Sequence, residues 1–310
     1  MELIIQIGLL ILGFFMLVKG ADYFVDGAAG IATKFGIPQL VVGLTIVAMG
    51  TSAPEAAVSI TGALAGAADI AVGNVVGSNI LNILIILGIT GVITTVAVQK
   101  STLMIEMPFM IAITILLILL GMTGNELTFV EGIVFWICFI AYLVYLYFLA
   151  KKGTEEEANE ERPVWKLLLF IIIGGVVVIW GANISVDAAV AIATTIGISE
   201  KFIGLTIVAL GTSLPELVAS VTAARKGNAD IAIGNIVGSN IFNILFVLGT
   251  SALITPIPYQ SAFLFDGIMA VAAGVILWVA TIKKRELNRT WGIIMLLCYA
   301  AYLAYSLSLG

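Results

Sequence analysis

Histidine is absent from all 310 residues. Its absence removes the usual general base, the usual proton relay and the commonest transition-metal ligand. Only two cysteines occur, Cys138 and Cys298, each inside an apolar stretch. They read as buried small hydrophobes, not as a disulfide or a thiolate metal site. Charge is also scarce: 11% of residues are charged and 61% hydrophobic, with a mean hydropathy of +1.17. A water-soluble domain of this length cannot hide so much apolar surface, so lipid must solvate much of it. MELIIQ at the start has an acid and no basic n-region, so the first apolar stretch is expected to be a span and not a cleaved leader. The net charge of −5 comes largely from the EEEANEE run and says little about partners. Neither a nucleic acid nor an obligate protein partner is expected, and the bilayer is the expected surroundings.

A bilayer requires roughly 20 apolar residues per helical span. Ten such stretches are read, near 3–30, 40–65, 70–95, 103–122, 127–150, 165–191, 202–224, 231–254, 263–282 and 290–308. The predicted fold is an all-α polytopic membrane protein. With ten spans, one face collects Lys34, Lys100, Lys151, Lys152, Arg162, Lys166, Arg225, Lys226, Lys283, Lys284, Arg285 and Arg289, the other Lys201 alone, and Lys19 falls within the first span. Positive loops stay in the cytoplasm. A cell-membrane protein with both termini extracellular follows.

Self-similarity then divides the chain. GLTIVAMGTSAPEAAVS (43–59) returns as GLTIVALGTSLPELVAS (204–220), identical at 12 of 17 positions. DIAVGNVVGSNILN (69–82) returns as DIAIGNIVGSNIFN (230–243), identical at 11 of 14. Both pairs are offset by 161 residues, and Gly20/Asp26 with Gly181/Asp187 extend that offset into the first span of each half. The halves are 1–150 and 164–310, joined by 151–163, KKGTEEEANEERP, a solvated cytoplasmic linker without the Gly and alternating Asp/Asn of a calcium loop. Five spans per half turn the second copy upside down. Inverted repeats with interrupted helices at matching positions are the signature of a secondary transporter with a midplane site. A duplicated scaffold would preserve packing residues, not a Glu, two hydroxyls and several Asn.

The interruptions are GTSAPE (50–55) and GTSLPE (211–216), in the second and seventh spans. Pro54 and Pro215 cannot donate to the helix ladder, so carbonyls around Val47, Ala48 and Ala209 are expected to turn out of it as ligands. Irregular backbone at that depth is tolerated only where it lines a wet cavity or is buried in protein. Glu55 and Glu216 each cost roughly 2.5–3.5 kcal/mol at a helix centre, with no Lys or Arg at matching depth. A bound cation is the natural counter-charge. Thr51, Ser52, Thr212, Ser213, Asn82 and Asn243 add hard oxygens, which suit sodium and calcium and disfavour zinc or copper. Ser78 and Asn82 share a helix face, as do Ser239 and Asn243. Glycines at 73, 77, 234 and 238 allow close helix approach. Asn74, Asn79, Asn235 and Asn240 are read chiefly as interhelical hydrogen-bonders, and Asp69 and Asp230 as helix starts or caps. Asp22, Asp26 and Asp187 read equally as lining an approach path or anchoring at the interface.

These duplicated motifs resemble the two alpha-repeats of the sodium/calcium exchanger family, in the calcium/cation antiporter superfamily. The likeness covers nearly the whole chain and is greatest to the short prokaryotic and archaeal members, which lack the large calcium-sensing loop of animal exchangers. It implies ten helices, no cofactor, and exchange of several Na⁺ for one Ca²⁺ by alternating access. By motif position it implies calcium at Glu55, Glu216, Thr51 and Thr212. Sodium sites would draw in Ser52, Ser213, Ser78, Ser239 and the Ala48 and Ala209 carbonyls. The first helix of each half would slide across this core. Relatives carry Asn or Asp at the position of Asn243, Asp being typical of the potassium-dependent branch, and the amides here argue against potassium coupling.

A proton/calcium exchanger is the alternative within transporters, though the missing His weakens a proton relay. An intramembrane enzyme is a different class, but serine types use a His partner and aspartyl types paired Asp. No enzymatic role is expected. A passive cation channel would differ by flux without countertransport.

Overall fold

The chain is described here by a computed structural model covering residues 2–153, 160–197, 209–260 and 262–309. Helices form because an apolar backbone in lipid has to satisfy its own N–H and C=O groups. In order they are α1 (Glu2–Phe35), α2 (Gln39–Thr51), α3 (Ala53–Leu64) and α4 (Asp69–Leu81, continuing through Asn82–Leu87 to Gly88–Ile93). Then come α5 (Thr102–Met122), α6 (Phe129–Lys151), α7 (Val164–Thr195), α8 (Ala209–Thr212), α9 (Leu214–Arg225) and α10 (Ala229–Ile254). The last two are α11 (Ala262–Ile282) and α12 (Arg289–Leu309).

Among the described residues, seven helices are long and apolar enough to cross a membrane, and α2 with α3, bent by 51° at their junction, make an eighth. The remaining expected spans are 290–308, which forms α12, and 202–224, whose beginning lies outside the described residues together with Lys201. Gly66 and Gly227, one repeat apart, close α3 and α9 with φ of +81° and +83°, the left-handed turn that glycine adopts without penalty. Thr128 and Glu131 form a capping box that starts α6.

The fold is all-helical, as expected, and its loops add four two-residue strands. Two-residue strands β1 (Val96–Ala97), β2 (Glu126–Leu127), β3 (Ile257–Pro258) and β4 (Glu286–Leu287) pair as β1–β4 and β2–β3, both antiparallel. Each pair joins a loop of one half to a loop of the other, at opposite ends of α5.

Helices α4 and α10 sit innermost: 94% of the most apolar window of α10 is buried, against 17% for α1. Gly234 and Gly238 explain the contact of α10 with α2. A Cβ at Gly234 would come within 2.9 Å of the Leu40 carbonyl, and one at Gly238 within 2.8 Å of Leu44 Cα. Outside this core, α1 and α7 pack along each other. Asp230 does not cap α10: the N-cap position is Asn228, without a side-chain cap bond, and Asp230 accepts from Gln99 Nε2 at 2.6 Å. Helix α4 likewise has Ala68 at its N-cap. Asp69 is the first residue of α4 and Asp230 lies in the first turn of α10, so both acids start their helices without capping them. Asp22 and Asp26 meet Lys226 at 3.2 and 2.9 Å, tying α1 to the turn between α9 and α10.

Candidate functional site

Helix α2 is π-helical over Gly43–Val47, α-helical over Ala48–Thr51, and bends at Ser52, whose φ and ψ are −82° and 8°. Pro54 therefore lies in the first turn of α3, where a missing N–H leaves no partner unsatisfied. Ser213, at −92° and 6°, repeats the bend before Pro215. The expected release of the Ala48 carbonyl is not observed. It still accepts from the Ser52 N–H at 3.0 Å, because the ladder runs up to the bend and the proline comes after it. Ser239 Oγ also donates to it at 3.4 Å. Residues 198–208 are not among the described residues, so the backbone equivalent to Ala48 lies mostly outside them, and Ala209 is the first residue described after 197.

The bends place Glu55 and Glu216 in the first turns of α3 and α9, at the positive ends of those helices. Both side chains are fully buried. Each is reached from the other half: Ser52 Oγ donates to Glu216 Oε1 at 2.8 Å, and Ser213 Oγ to Glu55 Oε1 at 3.4 Å. Asn74 Nδ2 donates to the Glu55 carbonyl and to Ser59 Oγ, at 3.3 and 2.9 Å. Asn235 makes the same pair of bonds, at the same lengths, to the Glu216 carbonyl and Ser220 Oγ. Thr51 Oγ1 lies 3.0 Å from both the Val47 carbonyl and Asn235 Oδ1. Thr212, half-buried, ends α8.

Four asparagines bind α4 to α10. Asn79 and Asn240 exchange bonds from Nδ2 to each other's carbonyl, both 3.1 Å. Asn82 donates to Asn240 Oδ1 at 2.9 Å and Asn243 to Asn79 Oδ1 at 3.1 Å. Asn82 and Asn243 each open a π-helical segment, Asn82–Leu87 and Asn243–Leu248, a local irregularity frequent at functional sites. Ser78 and Ser239, also buried, lie one turn earlier. Ser59 and Ser220 were not singled out from the sequence, although both fall at the last identical position of the longer repeat.

Within this site, four buried oxygens have no partner among the described residues: Glu55 Oε2, Glu216 Oε2, Asn82 Oδ1 and Asn243 Oδ1. They form two pairs related by the repeat, and all are acceptors. Among the described residues no Lys or Arg bonds either glutamate, and no group of three or more Cys, Asp or Glu forms a metal cluster. A buried carboxylate without a counter-charge is costly. The chemistry this donor set fits is a hard cation held by two acids and neutral oxygens.

Comparison with known proteins agrees with that chemistry. The family model described as "Sodium/calcium exchanger protein" matches residues 5–148 and 166–308. The sodium/calcium exchanger MaX1 of Methanosarcina acetivorans is 32% identical, over 95% of this chain and 96% of its own. The inner membrane protein YrbG of Escherichia coli is 37% identical over 82% of this chain and 81% of its own. The solved structure of the sodium-calcium exchanger NCX_Mj soaked with Na⁺ and Sr²⁺ superposes with a TM-score of 0.85 at 32% identity, covering 97% of this chain and 99% of that one. With both halves matched and MaX1 and NCX_Mj covered nearly end to end, the chain belongs to the sodium/calcium exchanger family.

Proposed function

We propose that the chain is a secondary antiporter in the cell membrane. It carries one Ca²⁺ in one direction and three Na⁺ in the other, by alternating access. The proposed architecture is ten spans in two inverted five-helix units, 1–150 and 164–310, with 151–163 cytoplasmic and both termini outside. Glu55, Glu216, Thr51 and Thr212 hold calcium. Ser52, Ser213, Ser78, Ser239, Asn82, Asn243 and the Ala209 carbonyl complete the sodium sites. The Ala48 carbonyl, still in the helix ladder, joins them only through the lone pair it does not give to the Ser52 N–H. The carrying observation is the set of four buried, unpartnered oxygens, Glu55 Oε2, Glu216 Oε2, Asn82 Oδ1 and Asn243 Oδ1. A cation supplies the charge and the coordination that this set lacks. The soaked relative NCX_Mj adds weight, since it is a sodium-calcium exchanger of the same fold. The amides at 82 and 243 favour exchange without potassium.

The test is calcium uptake into vesicles reconstituted with the purified protein, with and without an outward sodium gradient. Sodium-driven uptake with no potassium requirement is expected. Equal calcium flux with sodium absent from both sides, at fixed pH and voltage, overturns exchange. A potassium requirement overturns only the amide argument.

A further inference from the structure

A third buried acid lies outside the site of Glu55 and Glu216. Glu106, on α5, is 1% exposed, and its Oε1 accepts from Tyr145 OH on α6. Its Oε2 has no partner among the described residues, nor have the Tyr142 OH and Thr102 Oγ1. Thr102 precedes Glu106 by one helical turn on the same face. Glu106, Tyr142 and Tyr145 line a cavity of about 150 Å³ between the two helices, closed by Ile105, Phe109 and Ala141. Phe109 stacks on Tyr142 with centroids 5.7 Å apart. Ile105 and Ala141 are exposed on the outer, apolar surface, so the cavity opens sideways toward lipid. The last two helices of each half are offset by 160 residues, so the repeat places Asp266, Tyr302 and Tyr305 where Glu106, Tyr142 and Tyr145 stand. Tyr302 OH donates to Asp266 Oδ1 at 2.9 Å, but Asp266 is only half-buried.

The geometry points to a binding site for the head of an alkyl primary ammonium entering from the membrane. Glu106 Oε2 and the hydroxyl oxygens of Tyr142 and Tyr145, all on lining residues, can accept from the three N–H groups of an ammonium, and one carboxylate matches its charge. Aromatic faces beside the acid favour an organic cation, and the remaining apolar wall takes the first carbons of its chain. A bare alkali ion fits poorly, since it needs more oxygens than the cluster holds. A phosphoethanolamine headgroup fits poorly too: its phosphate would follow the ammonium into a cavity lined by no Lys or Arg.

Calorimetric titration of the full chain in nonionic detergent with hexylammonium, hexanol and a single-chain phosphoethanolamine lipid tests this. Hexylammonium is expected to bind one per chain, at least about tenfold more tightly than hexanol. Glu106→Gln, which preserves shape, should weaken it by at least about tenfold, and Tyr142→Phe, which removes one hydroxyl, by severalfold. Equal binding of hexanol would make the cavity merely apolar and overturn the assignment. So would displacement of hexylammonium by sodium ions or by the phosphoethanolamine lipid at lower concentration, or unchanged affinity in Glu106→Gln. Should that variant fail to fold, unchanged affinity in Tyr142→Phe overturns it instead.

Discussion

Glu55 and Glu216 each have one oxygen bonded by a serine of the opposite half and one without a partner among the described residues. In the proposed exchange, the unpartnered oxygens are the ones a calcium ion takes. Glu55→Gln or Glu216→Gln removes half the formal charge and keeps volume and one oxygen. The uncharged amide is cheaper to bury, so the variants should insert and fold as well as the parent. Sodium-driven calcium uptake should fall to near background in each, while elution by gel filtration is unchanged. Uptake at the parent rate would remove that residue from the site. A second residue-scale test lies at the linker. Arg162 bonds Glu160 at 2.6 Å, and Lys34 donates to the Glu160 and Arg162 carbonyls at 2.9 and 3.0 Å. The Arg162 hydrogen bonds pull the Glu160 carboxyl down from 4.5 to about 2. A depressed folded pKa means the stabilisation is present above 4.5 and fades as pH falls from there toward 2. Arg162→Gln should return the Glu160 titration, followed by carboxyl carbon NMR, toward 4.5.

At the scale of elements, α1 and α7 are 34 and 32 residues long. At 1.5 Å per residue both exceed a hydrocarbon core of about 30 Å. They touch through glycine. A Cβ at Gly13 would come within 2.8 Å of the Gly181 carbonyl, and one at Gly20 within 2.8 Å of Val178 N and 2.9 Å of the Gly174 carbonyl. Backbone cannot yield as a side chain does, so Gly20→Val should cost about 1–3 kcal/mol. Gly8, with nothing within 4 Å, should tolerate the same change within about 0.5 kcal/mol. Thermal unfolding of both variants measures the difference, and equal midpoints would mean that the two helices separate freely. The sequence exposed what lipid makes expensive: Glu55, Glu216, the paired asparagines and the prolines stand out because an apolar span has no other use for them. It hid what depends on local geometry. Nothing in NILIIL or NILFVL announces a π-helical turn, and strands of two residues are too short to leave an alternating pattern. Pro54 marked the break, yet its neighbours gave no sign that the bend comes at Ser52, with the Ala48 carbonyl still in the ladder. Close approach at Gly234 and Gly238 was legible because small residues recur there, whereas the Ser59–Asn74 bond required two helices to be placed first.

For the whole molecule, the outward faces carry Ile137, Ile172, Trp180 and Leu297, each more than 60% exposed, while α10 is almost wholly enclosed. Lipid outside and a polar seam within put two carboxylates in a low-dielectric interior, where net charge decides which ions can share the site. Two glutamates balance one Ca²⁺. Three Na⁺ leave one positive charge in excess, so a three-to-one cycle moves one net charge across the membrane. At 100 mV that charge is worth about 2.3 kcal/mol, or about fiftyfold in the calcium gradient sustained at a fixed sodium gradient. Vesicles clamped at a series of voltages should therefore reach calcium ratios whose logarithm rises linearly with voltage, with the slope of one charge. A ratio independent of voltage would mean two sodium ions per calcium. Exchange at Glu55 and Glu216 would then stand, and the third sodium site would have to be abandoned.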